Sequence, residues 1–123
     1  PEKSALSNPF ELRVAIQYAL LVGLTIVASR AMLEWLGDAG LYTVSAIGGL
    51  LDVDAPVVAA ANLTRQGIAI GTALTSIALA VTVNSITKLA LIAAYGDLSL
   101  AARVGIGYAV MGAAVIVAAV AAI

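Results

Sequence analysis

The chain has 123 residues, 63% of them hydrophobic and 11% charged, with a mean hydropathy of +1.09. A water-soluble body of this size exposes too large a share of its residues to carry that composition, so an integral membrane protein is expected. Six basic against seven acidic residues leave a net charge of −1 with no basic run, which argues against nucleic acid as a partner, and the lack of Cys and His excludes disulfides, thiolate chemistry and imidazole-ligated metals.

At about 20 apolar residues per span, this length allows three or four crossings joined by short loops. The opening PEKSALSNPF is polar and leads straight into a full-length span, so residues 1–9 read as a tail or linker rather than a secretory leader. A first residue of Pro makes the chain look excised or processed. Ser7 or Asn8 is placed to cap the helix that follows, with Pro9 in its first turn and Glu11 near the positive end of the helix dipole.

From Phe10 to Leu36 the pattern is one long helix with a fully apolar middle. Arg13 and Tyr18 are expected near one interface, and Arg30 and Trp35 near the other, as snorkelling and aromatic-belt positions. Gly37, Asp38 and Gly40 should end it.

The central stretch, residues 40–63, carries the main signal. An apolar run, Leu41 to Leu51, is interrupted by Asp52, Val53 and Asp54, then by Pro56, and resumes as far as Leu63. Neither half is long enough to span alone. The two halves form either a re-entrant hairpin or one discontinuous spanning helix, and their combined length, about one membrane thickness, tips the expectation toward the discontinuous helix. An aspartate at the centre of a span costs roughly 2.5 to 3.5 kcal/mol, so two at a helix break point to use.

A polar turn at Thr64 to Gly67 precedes the next long helix, Ile68 to Tyr95, which Gly96 and Asp97 end. Asn84 and Lys88 lie four residues apart on one face of it, with Thr72 and Ser76 roughly in line. Ser99 to Arg103 opens the last span. Gly105, Ala109 and Ala113 form a small-residue stripe on it, and Gly67 with Gly71 is a GxxxG match; both patterns favour close helix packing. The balance of Lys and Arg between the two sides is three to two with either central architecture, a weak preference for a cytoplasmic N-terminus.

NPFEL at 8–12, GDAGLY at 37–42, GLLDVDA at 49–55, and Asn84 with Lys88 together resemble the membrane domain of unknown function 4010, found fused behind MgtC/SapB-type membrane domains in bacteria and archaea. The resemblance covers nearly the whole chain. It implies a prokaryotic cytoplasmic (inner) membrane location and an association with magnesium physiology, but the family name carries no activity. One departure is that the family places hydroxyl residues shortly after DVDA, where this chain has Val57 and Ala59.

The expected fold is all-α: a polytopic membrane helical bundle at residues 10–123, with three full transmembrane helices plus one broken or re-entrant helical segment. The expected function is a cation channel or transporter, divalent ions such as magnesium favoured, with Asp52 and Asp54 as metal ligands and Asn84 and Lys88 lining the path. In the bland reading Asp54 merely caps a helix at a surface turn, and Lys88 merely snorkels. Two carboxylates and one ammonium per chain leave −1, so a two-fold dimer would balance one divalent ion. Partners are therefore the lipid bilayer, an inorganic cation and a second copy; no covalent cofactor and no enzyme activity are expected. The competing reading is a non-transporting membrane module whose packing surfaces bind or regulate other proteins.

Overall fold

The computed structural model describes residues 9–121, all helical apart from short connections. The expected caps Ser7 and Asn8, with the tail as far as residue 8, lie outside the described residues. Pro9 belongs to the first helix rather than to the tail. Five helices follow one another: α1 (Pro9–Leu36), α2 (Asp38–Leu51), α3 (Asp54–Arg65), α4 (Ile70–Tyr95) and α5 (Leu98–Ala121). The chain divides into two compact units, the first ending at Val83 and the second beginning at Asn84.

In the first unit, α1 ends where glycine allows it. Gly37 has φ of +68°, and its N–H closes the last turn onto the Leu33 carbonyl at 2.9 Å. Helix α2 starts at once from Asp38 and folds back along α1. Gly40, expected to help end α1, instead sits in the first turn of α2. A β-carbon there would collide with the Met32 carbonyl oxygen, so only glycine permits this approach of two backbones.

Two pairs of contacts fix the course of α3. The Tyr18 hydroxyl reaches the Asp54 carboxylate and the Arg30 guanidinium reaches Gln66, each across 36 residues of sequence. An offset that stays constant along both helices means that α1 and α3 run parallel. Helix α2 is antiparallel to both, so α2 and α3 form a hairpin whose two feet stand at the Arg30 end of α1. The expectation of a discontinuous spanning helix is thereby corrected: the central segment is re-entrant, because its second half returns to the side from which the first half came. At 1.5 Å per residue its tip lies about 18 Å from the Arg30 level, a distance of more than half the thickness of a hydrocarbon core of about 30 Å.

The hairpin closes on small residues. A β-carbon on Gly48 would lie 2.6 Å from the Pro56 ring, which packs α2 against the first turn of α3. On another face of α2, a β-carbon on Gly49 would meet the Ala80 carbonyl oxygen at 2.5 Å. The hydroxyls of Ser45 and Ser76 share a short buried hydrogen bond, and Thr72 donates to Asp38 at 3.1 Å. Contacts ordered from Asp38–Thr72 through Ser45–Ser76 to Gly49–Ala80 make the first half of α4 parallel to α2.

At the hairpin foot, α3 ends in a tight turn in which Gly67 has φ of +103° and the Ile68 N–H bonds to the Leu63 carbonyl at 3.2 Å. Gly67 thus serves the turn rather than a packing stripe, and neither it nor Gly71 has a neighbour where a β-carbon would be. In the second unit, the Gly96 N–H closes α4 onto the Ile92 carbonyl at 2.8 Å, and Asp97 caps α5. A β-carbon on Gly105 would meet the Leu89 methyls at 3.7 and 3.9 Å, while Ala109 and Ala113 are exposed, so among the described residues of the second unit the expected stripe on α5 makes no tight packing.

Candidate functional site

The hairpin tip is built by the two residues that separate α2 from α3. Asp52 takes an extended conformation, φ −158° and ψ 141°, while its N–H still closes α2 onto the Gly48 carbonyl at 2.8 Å. Its side chain turns forward, and Oδ1 accepts the Asp54 N–H at 3.3 Å. The N-cap position of α3 is thus Val53, not Asp54 as in the bland reading of the sequence, and Asp52 covers the Asp54 N–H, the first of the helix. Asp54 opens α3, where the positive end of the helix dipole favours its charge.

Asp54 Oδ2 lies 3.5 Å from the Tyr18 hydroxyl, which donates a long and therefore weak hydrogen bond. Asp54 is exposed and Asp52 half-buried. The last carbonyls of α2 also end at this tip, so negative oxygens and a negative helix end converge beside the positive end of α3. Among the described residues no cluster of three or more acidic, His or Cys side chains is present. Two carboxylates suit a cation that keeps most of its water, which is how Mg²⁺ is usually held.

The structure thus joins Asp52, Asp54 and Tyr18. Tyr18 was expected as an aromatic-belt residue, and nothing in its sequence neighbourhood reveals a partner 36 positions away. Asn84 and Lys88 belong to the second unit, Asn84 buried with 8% of its surface exposed and Lys88 exposed. They share one face of α4, as the four-residue spacing requires.

A second polar group stands at the hairpin feet. Arg30 donates to Glu34 at 2.8 Å and to the Gln66 side-chain oxygen at 2.9 Å, and Gln66 donates to Asn62 at 2.7 Å. This network ties the last turns of α1 to the end of α3. Beside Arg30 in α1, Ser29 is buried and its hydroxyl has no hydrogen-bond partner among the described residues.

Among the described residues three helices, Pro9–Leu36, Ile70–Tyr95 and Leu98–Ala118, are long and apolar enough to cross a bilayer, and most of their surface is uncovered. With the hairpin between the first two, they define a multi-pass helical membrane protein. The family described as a domain of unknown function (DUF4010) matches residues 1–96, and the chain belongs to it. An uncharacterised protein of Aquifex aeolicus (strain VF5) is 33% identical over 85 residues, covering 68% of this chain and 37% of its own length. The chain thus spans a little over a third of that relative. No solved structure matches significantly.

Proposed function

We propose that the chain conducts or transports cations across the prokaryotic cytoplasmic membrane, with Asp52 and Asp54 binding the passing ion and no catalytic step. The observation that carries this reading is the placement of two carboxylates at the tip of a re-entrant hairpin, about 18 Å from the level of its feet. Non-helical backbone at that depth is tolerated where it lines a site or an aqueous path. Magnesium is the first ion to test, both because it accepts one or two carboxylates while keeping its waters and because of the resemblance to domains that accompany MgtC/SapB-type proteins. Asn84 and Lys88 are proposed to take part along the same route, and a second copy of the chain to cover the exposed carboxylate.

Flux through proteoliposomes tests the reading. Wild-type protein should pass cations down a gradient, and Asp54→Asn and Asp52→Asn should each lower the rate at least tenfold. Full flux in both variants would reject the carboxylate site. The exposed alanines on α5 leave room for a second reading, a membrane module that binds other proteins without transport. Absence of flux for every cation tried would favour it.

A further inference from the structure

A groove of about 280 Å³ opens between α1 and α2 beside the hairpin tip. Its walls are hydrocarbon: Leu21, Leu24 and Ala28 from α1 face Val44, Ile47 and Leu51 from α2. Two side chains in the lining carry polar atoms. The Thr25 hydroxyl donates its hydrogen to the Leu21 carbonyl at 2.7 Å, so it offers a ligand little. Asp52 is the other, and it is the one charged group in the lining. Its Oδ1 caps the Asp54 N–H, whereas Oδ2 has no partner among the described residues.

A bare inorganic ion does not suit this groove. Such an ion gives up water only for several oxygen ligands, and Asp52 is the one carboxylate residue in the lining. An apolar lipid chain does not suit it either, because it would press hydrocarbon against a half-buried carboxylate and leave its charge unmatched. A cation whose charge is spread over carbon substituents satisfies both demands: it brings apolar surface for the walls and charge for Asp52, and it needs no directed coordination. Small-molecule sites commonly have this make-up, an apolar cleft with one or two fixed polar groups.

We infer that the groove between α1 and α2 is a binding site for a lipophilic organic cation, with Asp52 as its counter-charge. This ligand class is separate from the inorganic ion proposed to meet both carboxylates at the tip.

Tetraphenylphosphonium and tetraphenylborate, nearly the same shape with opposite charge, are suitable probes. Their equilibrium binding to the detergent-solubilised chain is measured with no ion gradient, so the result does not depend on whether the protein passes inorganic cations. The phosphonium should bind at least tenfold more tightly than the borate, and Asp52→Asn should remove that preference. Ala28→Leu, which fills the groove while keeping the carboxylate, should weaken phosphonium binding at least tenfold, with unchanged helicity showing that the fold survives. Equal binding of the two probes, as a plain apolar crevice would give, overturns the assignment. So does binding of neither, the result expected if a second copy of the chain seals the groove, and so does a preference that survives Asp52→Asn.

Discussion

At the scale of single residues, glycine decides where backbones meet. Gly40, Gly48 and Gly49 each stand where a β-carbon would come within 2.6 Å of a neighbouring helix. Gly49→Ala should therefore force α2 away from Ala80, at a cost of about 1–3 kcal/mol, the range for overpacked sites. Reversible unfolding in mixed micelles measures it, and Gly71→Ala, which meets open space, should cost far less. The other residue-level prediction concerns Asp97, in the connection between α4 and α5. The Ser99 hydroxyl donates to it at 2.7 Å and the Ser99 N–H at 3.0 Å, and these bonds hold its carboxyl below the ordinary aspartate range. A carboxyl lowered on folding stabilises the folded form above its unfolded pKa, and that contribution disappears as pH falls through the folded value. Hydrogen exchange at the Ser99 amide, corrected for its intrinsic pH dependence, should show protection at neutral pH that is lost in acid. Asp97→Ala should abolish this pH dependence.

At the scale of elements, the hairpin is the consequential unit. Composition and breakers revealed both halves of it, and the residues at its tip were legible because carboxylates in an apolar run are costly. Its direction was not legible, since a discontinuous helix and a hairpin share the same local sequence. The Arg30–Gln66 and Tyr18–Asp54 pairs decide it, and no local pattern announces pairs 36 residues apart. A labelling experiment follows. Cysteines placed at Glu34 and at Gln66 should react with an impermeant thiol reagent from the same side of the membrane, and one at Arg13 from the opposite side. Labelling of positions 34 and 66 from opposite sides would restore the discontinuous helix. Removing Arg30 by Arg30→Ala should loosen the hairpin feet only modestly, because an exposed pair of this kind contributes about 0–1 kcal/mol.

At the scale of the whole molecule, three spans and a hairpin that returns to its own side make an odd number of crossings. Reporter fusions at the two ends should therefore report opposite compartments, whereas a fourth full crossing would put both on one side. The long helices keep large apolar faces uncovered, Trp35, Leu98 and Val115 among them, which suits contact with lipid or with further copies. Within the first unit the glycines of α2 face α1, α3 and α4 in turn. The small-residue stripes legible in the sequence, on α5 and at Gly67–Gly71, lie outside that packing. Spacing identifies small residues but does not say which helix, if any, comes near.

What the sequence alone determined is everything set by local free energy. Hydropathy over windows of a span length gave the membrane class and the three long helices, and Gly, Pro and Asp gave their ends and the break. Tertiary structure alone decided that the break is the tip of a hairpin, that Tyr18 meets Asp54, and that Asp52 turns forward onto the Asp54 N–H. The physical reason is that these depend on which backbones can approach. That is fixed by pairs such as Gly48 with Pro56 and Gly49 with Ala80, where the absence of a side chain on one helix acquires meaning only once its neighbour is in place.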